Sequence, residues 1–354
     1  MKICYISKPF FYAEIVFIQI PLKNCSGKLT MPEKFSVIIP LFNKGPYIAR
    51  AIESVLEQTI QDFEIIVIDG GSEDNGPAIV KKCNDPRIHF LVQSGKGVSN
   101  ARNEAVYFSK NEFIAFLDAD DEWMPRHLET ILRLIEKYPE AGIFSTAYKI
   151  HTADGKTQWA CYQGIPDFPW EGLLPNFFKS AALGDIPVWT SVVVIPGKLF
   201  HEAGGFPEGH WWGEDVDLFG KIALKYPVAF SSELGGIYHW DVTNRACTKI
   251  TTVNYEDEPF VSTVKTALRN HEIPAEFIEP IHEFLANRKI FRAIHYMRAG
   301  SPDIARRILK NCTTRWYYKK KMKWLVLSEL PYPLFLFIHK IKRLAHSCSG
   351  HISR

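Results

Sequence analysis

Apolar and polar positions follow a repeating order over the first two thirds of the chain. Residues 35–40 (Phe-Ser-Val-Ile-Ile-Pro) form a short β-branched run closed by proline, the pattern of a strand covered on both faces. After the loop 41–45, Pro46 suits a first helical turn, and Ile48, Ile52, Val55 and Leu56 recur at helical spacing through about Gln58. Residues 64–69 (Glu-Ile-Ile-Val-Ile-Asp) repeat the buried-strand pattern and end on a carboxylate; a glycine-rich turn and a helix through Cys83 follow. A shorter strand at 88–92 leads through Gly95-Lys96-Gly97 into a helix with Val98, Ala101, Ala105 and Phe108. Residues 113–117 predict a fourth strand, 126–138 a helix with Leu128, Ile131, Leu132 and Ile135 inward, and 141–146 a fifth strand. Strands alternating with helices of this length make βαβ units, so the fold class is α/β, with a mostly parallel sheet flanked by helices.

The alternation breaks after Tyr148. Residues 148–159 carry Asp154-Gly155 between alternating positions and predict a hairpin. Residues 163–186 are rich in Pro, Gly and aromatics without a period and read as irregular structure. A strand at 188–195, a turn or short helix to Ala203, a helix opening at Gly213-Glu214-Asp215, and two strands at 228–232 and 236–239 complete this part. From about Tyr255 the pattern is helical, with Pro274, Pro280 and Pro302 at expected helix starts. The expected organisation is therefore an extension over 1–32, an α/β domain over 33–254 and a helical basic region over 255–354.

Composition changes this picture in three places. The apolar fraction of 46% suffices for a full core, and the net charge of +3 conceals an asymmetry: 288–343 holds 15 Lys or Arg against 2 acidic residues. Seven scattered cysteines contain no Cys-x-x-Cys pair, which speaks against a zinc ribbon or disulfide framework and for a reducing, cytoplasmic setting. No stretch reaches the roughly 18 apolar residues of a membrane-spanning helix. Residues 10–21 are apolar, but Glu14 interrupts them and no small-residue cleavage site follows, so they do not read as a signal peptide. Met31, just ahead of the first strand, reads as the natural start.

The candidate chemistry lies where apolar runs stop. Asp118, Asp120 and Asp121 end the fourth strand, which places them at the strand-end crevice where open α/β sheets bind ligands. Hard divalent cations prefer such oxygens and share them with substrate phosphates; an acidic turn capping the next helix would read the same way. Asp69 ends a neighbouring strand and must share that rim, and Glu214-Asp215 opens a later helix. Carboxylates gathered together need a cation or a ligand's donors.

The segments Val37-Ile38-Ile39-Pro40-Leu41-Phe42-Asn43, Ile68-Asp69-Gly70-Gly71-Ser72-Glu73-Asp74, Ala101-Arg102-Asn103, Leu117-Asp118-Ala119-Asp120-Asp121 and Gly213-Glu214-Asp215-Val216-Asp217-Leu218 resemble, in order and spacing, the motifs of family 2 glycosyltransferases. The resemblance spans about 33–245 and implies a GT-A fold of Rossmann type. It implies that Pro40, Phe42, Asn43 and Asp69 line the nucleobase pocket of a nucleotide-sugar donor, with UDP-sugars favoured, and that Asp118 and Asp120 contact the donor. Asp120 and Asp121 would between them hold Mn²⁺ or Mg²⁺ on the diphosphate and contact the ribose; His239 matches a late histidine that reaches the metal or diphosphate in several GT-A enzymes, or else is a structural histidine. Asp215, or Glu214 in its place, would take the acceptor hydroxyl's proton in an inverting transfer. Arg102 stands as a phosphate contact or as half of an ion pair holding its helix. Trp211 and Trp212 are acceptor-stacking candidates or core fillers.

Three positions depart from the family pattern. Gly70 replaces a second Asp that many members carry, which leaves the base open; Lys221 replaces a common Arg. Arg315-Trp316 lacks the Gln that processive members place three residues earlier, where Cys312 stands, so the expectation is transfer of one sugar. The basic, aromatic stretch 316–324 and the apolar stretch 331–341 suit an anionic membrane surface at the cytoplasmic side and a glycan or lipid-linked acceptor, or else a solvated helix. Nucleic acid is not an expected partner, since no recognition fold accompanies the charge. A role in bacterial surface polysaccharide or lipopolysaccharide synthesis follows by analogy. A nucleotidyltransferase and a non-catalytic nucleotide-sugar-binding protein are the alternatives.

Overall fold

The computed structural model describes residues 35–210, 212–243 and 258–336. The expected N-terminal extension, Trp211 and the end of the apolar stretch 331–341 lie outside them. The first elements are β1 (Phe35–Leu41), α1 (Gly45–Leu56), β2 (Phe63–Asp69), α2 (Gly76–Lys82), β3 (Ile88–Val92), α3 (Val98–Phe108) and β4 (Phe113–Phe116). They fall within a few residues of the sequence expectation. β3, β2, β1 and β4 lie side by side and run parallel. The buried strands alternate between two cores: Ile38, Ile66 and Ile68 face one side with Ala101 and Ala105 of α3, while Val37, Ile39, Ile65 and Val67 face the other with Ile48, Ile52 and Val55 of α1. This is why their sequences read as unbroken apolar runs.

The chain continues through β5 (Glu122–Trp123), α4 (His127–Lys137), β6 (Ile143–His151), β7 (Thr157–Trp159), β8 (Glu171–Leu173) and α5 (Phe177–Leu183). After a 3₁₀ turn at Thr190–Val192 come β9 (Val193–Pro196), α6 (Gly197–Glu202), α7 (Glu214–Ala223) and β10 (Val228–His239). The second half of the sheet is less parallel than expected: β9 runs antiparallel between β4 and β6, β6 and β10 are parallel, and β5 and β8 pair antiparallel with β10. The 148–159 hairpin is present as β6 and β7, turning at Gly155 with φ +77°.

Three expectations need correction. Residues 163–186 are not wholly irregular, because Glu171–Leu173 adds to the edge of β10 and Phe177–Leu183 is a helix whose N-cap Asn176 accepts from the Lys179 N–H. The two strands at 228–232 and 236–239 are one strand, β10, whose register against β6 shifts between Ser231 and Gly236. Pro280 lies inside the helix Ala275–Arg298 rather than at a helix start.

The helical region comprises α8 (Pro259–Arg269), α9 (Ala275–Arg298), α10 (Pro302–Lys310) and α11 (Tyr318–Ser328). Phe260, Val264, Ile281 and Phe284 join the same core as Phe178 and Phe219, with Phe260 stacked on Phe178 at 6.0 Å. The second half of α9 packs with α10 and α11 in a separate cluster around Ile290, Ala293, Met297 and Leu309. Among the described residues no helix is long and apolar enough to cross a membrane.

Candidate active site

The strand order reverses direction at β1, whose neighbours are β2 and β4, and this switch point opens a crevice at the strand ends. Two loops form one wall. The Asn43 N–H donates to Ser72 Oγ (2.9 Å), Asn43 Oδ1 accepts from the Glu73 N–H (2.8 Å), and the Gly45 N–H donates to Asp74 Oδ2 (2.7 Å). Asn43 takes φ +51° to do so, a conformation asparagine tolerates. Asp69 is buried at the end of β2, and its carboxylate accepts from the N–H groups of Gly71 and Ser72 at 3.2 Å. Pro40 is half-buried at the end of β1, and Phe42 stands exposed at the mouth. A Cβ on Gly70 would lie 2.9 Å from Gln93 Oε1, so a side chain there would require the flexible end of Gln93 to move.

At the end of β4 the three aspartates have different surroundings. Asp118 receives Arg102 Nη2 at 2.7 Å; Asp120 receives Lys44 Nζ at 2.6 Å, and its carbonyl accepts from Arg50. Asp121 is buried, and its carboxylate accepts from the Ser191 hydroxyl (2.6 Å) and the His239 N–H (3.0 Å). Burial, and then the charges of Asp120 and Asp118, push its pKa well above the usual carboxylate range against those two donors. The same Ser191 Oγ accepts from the Asp118 N–H, and the Ser191 carbonyl accepts from Trp123 Nε1. One buried serine therefore ties the aspartate turn to the 3₁₀ turn.

The third acidic group joins this rim through Arg102. That buried guanidinium spans from Asp118 to Glu214, which it meets at 3.0 Å. The structure thus places Arg102 in a buried bridge between carboxylates and not in a surface pair. Gly213 precedes α7 with φ +75°, and Glu214 and Asp215 follow in its first turn. Burial and the neighbouring Asp215 push Glu214 up to about 7, with Arg102 opposing. Asp215 is more exposed, accepting from the Val216 N–H (2.7 Å) and, at 3.4 Å, from the Thr190 hydroxyl. Thr190 and Ser191 are adjacent, so one turn touches Asp215 on one side and Asp118 and Asp121 on the other.

His239 is held by its imidazole, with Nε2 3.0 Å from Glu122 and Nδ1 3.3 Å from Asp241, and only its backbone meets Asp121. The hydrogen bond from His239, the largest influence, holds Glu122 below its ordinary range. Trp212 packs beneath Arg288, 5.8 Å from its ring, and Arg288 pairs with Glu258. Lys221 pairs with Asp217 at 2.7 Å. Sequence reasoning singled out the carboxylates but missed Ser191, Thr190, Lys44 and Arg50, which hold them. Asp118, Asp121, Arg102 and Glu214 are linked directly or through Ser191. Among the described residues, no three His, Cys, Asp or Glu side chains converge as a preformed metal cage.

The family model described as glycosyl transferase family 2 matches residues 36–185, which covers Asp69 and the Asp118–Asp121 turn but ends before Glu214. The glycosyltransferase GlyG of Streptococcus pneumoniae serotype 4 is 30% identical over 212 residues, 57% of this chain and 69% of that protein. The uncharacterised glycosyltransferase YibD of Escherichia coli K12 is 41% identical over 59% of this chain and 54% of its own. An uncharacterised glycosyltransferase of Rickettsia bellii is 37% identical over 60% of this chain, but the match spans only 29% of that longer protein. Among solved structures, the mannosyltransferase PcManGT of Pyrobaculum calidifontis, in complex with GDP-Man and Mn²⁺, superposes with a TM-score of 0.53 at 18% identity. That superposition covers 89% of this chain and 88% of that one. S. aureus TarS 1–349 in complex with UDP-GlcNAc gives 0.50 at 18% identity, covering 78% and 90%. These likenesses show the GT-A fold. With Asp69 and the Asp118–Asp121 turn inside the matched segment, and GlyG 30% identical over 69% of its length, the chain belongs to glycosyl transferase family 2.

Proposed function

We propose that the chain is a metal-dependent, inverting glycosyltransferase that moves one sugar from a nucleotide-sugar donor to a hydroxyl acceptor. The observation that supports it is the convergence of Asp69, the Asp118–Asp121 turn and Glu214–Asp215 on one sheet edge, cross-tied by Arg102 and Ser191. The donor's base lies against the Asn43–Ser72 wall and Asp69. UDP-sugars are the favoured donors; TarS and PcManGT are described with UDP-GlcNAc and GDP-Man respectively.

The donor set fits a divalent cation. Asp120 and Asp121 supply hard oxygens, and a cation would offset both the burial of Asp121 and the crowding by Asp120 and Asp118 that raise it. Magnesium-type sites commonly use one or two carboxylates and complete the shell with substrate phosphates, so no three-residue cage is required. His239 would join only by exchanging Glu122 or Asp241 for the ion. When bound, such an ion neutralises the departing diphosphate as a Lewis acid. Lys44, now on Asp120, is placed to turn toward the same diphosphate as a second positive charge.

Asp215 then accepts the proton of the acceptor hydroxyl, which attacks the anomeric carbon on the face opposite the leaving group and inverts it. Glu214 is committed to Arg102 and supports Asp215. Trp212 offers a ring beside the acceptor approach. The acceptor is a glycan or a lipid-linked sugar in bacterial surface polysaccharide or lipopolysaccharide assembly, and the reaction takes place at the cytoplasmic side of the membrane.

The test is a thermal-shift panel of UDP-, GDP- and dTDP-sugars with and without Mn²⁺, run on the parent and on Asp215→Asn. Metal-dependent stabilisation by one nucleotide is expected in both proteins, with transfer lowered about 10²–10⁴-fold in the variant. Stabilisation by none of them sinks the donor site, and full transfer by Asp215→Asn sinks the base assignment. A non-catalytic binding protein would show the stabilisation and no transfer by the parent.

A further inference from the structure

The helix α11 presents two unlike faces. Tyr317, Trp324, Leu325 and Leu327 turn inward against the Ile290–Met297 side of α9. At 100° per residue, Tyr318, Met322 and Val326 form one stripe that leads outward from beside Leu325, with Lys319 and Lys323 directly beyond it. Tyr318 is 58% and Val326 60% exposed, and both lysines are exposed. Just beyond, Leu334 and Leu336 are each 45% exposed. The result is an apolar stripe and a lysine row side by side on the protein's surface.

The stretch of sequence that carries this face is one-sided in charge. Asp303 and Glu329 are the two acidic residues between 288 and 343, and both are engaged by Arg306 at 3.0 Å. Fifteen basic residues share that stretch. A second copy of the chain would bring like charge against like charge. A polynucleotide would meet the lysines but leave Val326, Leu334 and Leu336 in water. An anionic bilayer answers both features, since its headgroups meet the lysines and its acyl boundary receives the apolar stripe.

We propose that the outward face of α11, with Leu334 and Leu336, is a docking surface for an anionic phospholipid bilayer. It sharpens the membrane-side location proposed above and does not depend on the transfer chemistry. Lys320 and Trp324 take no part: Lys320 Nζ is turned to Asn287 (2.9 Å) and Trp324 is packed against Phe335. The face is fixed to the catalytic body, because the Tyr317 hydroxyl donates to the Ala182 carbonyl of α5. Phe177 and Phe178 of α5 border the same small cavity as Asp215.

The experiment is co-sedimentation of the full chain with vesicles of pure phosphatidylcholine or of phosphatidylcholine with 30% (~3:7) phosphatidylglycerol. Binding is expected only to the anionic vesicles and to weaken with salt. At about fivefold per lysine, the double substitution Lys319→Glu, Lys323→Glu should lower partitioning at least ~25-fold. Val326→Ser with Leu334→Ser should lower it while leaving the salt dependence in place. No sedimentation of the parent, or equal sedimentation of the lysine variant, overturns the proposal. Equally tight binding to duplex DNA that ignores Leu334→Ser would mark a general polyanion surface and overturn it too. Nucleotide-sugar stabilisation should be unchanged in these variants, so failure of docking is separable from failure of the donor site.

Discussion

Glu214 is buried beside Asp215 with Arg102 as its ion-pair partner, and burial leads the causes that push it up to about 7. An ordinary glutamate titrates near 4.5. Between these values the folded protein holds a proton that the unfolded chain releases. The associated stability is full below the unfolded value and is lost as pH rises through about 7. That stability is on the order of a few kcal/mol at most. Glu214→Gln removes this titration, so denaturant unfolding should show the parent losing stability relative to the variant from about pH 5 to 8. Parallel curves for the two proteins across that window would remove Glu214 as the source. Geometry separates its role from that of Asp215: Glu214 is buried and held by Arg102, while Asp215 is the more exposed of the two.

At the scale of elements, what could be read in the sequence depended on length and burial. β1, β2 and β4 announced themselves because both faces are covered, and Asp69 and Asp118 showed as charges at the ends of apolar runs. β5 has two residues and β8 three, too few to carry a period. β10 read as two strands because its register shifts around Leu234. Ser191 left no trace: a serine before a valine run looks like any other until folding sets its hydroxyl between Asp118 and Asp121. Arg102 stood in a recognisable motif, yet its bridge to Glu214 joins residues 112 apart. Helix α8 was legible as a helix, but its share in the catalytic core was not. Phe260 is fully buried between Phe178 and Phe284, so Phe260→Ala should cost about 3–5 kcal/mol in equilibrium unfolding. A loss under 1 kcal/mol would mean that α8 is only loosely attached.

For the whole molecule, the boundary expected near residue 254 becomes a question of which helices the α/β core needs. Phe260, Val264, Ile281 and Phe284 complete the core that holds Phe178, Phe219 and Phe230. The distal half of α9 belongs instead with α10 and α11. Buried Glu283 sits at the junction and accepts from Thr314, Arg315 and Trp316, so the distal unit is fastened by hydrogen bonds more than by the main core. Two truncations separate these contributions. A chain ended after Lys289 keeps the four core residues and the Arg288–Glu258 pair and frees Glu283 to be hydrated. It should melt cooperatively and still be stabilised by the nucleotide sugar that stabilises the parent, while losing vesicle binding with α11. A chain ended after Asp257 strips one wall from Phe178 and Phe219 and should lose the cooperative transition. If the shorter chain melted like the parent, α8 and the start of α9 would be an appendage. If the longer one failed to fold, α10 and α11 would be part of the catalytic domain's stability, and membrane docking and catalysis would reside in one indivisible unit.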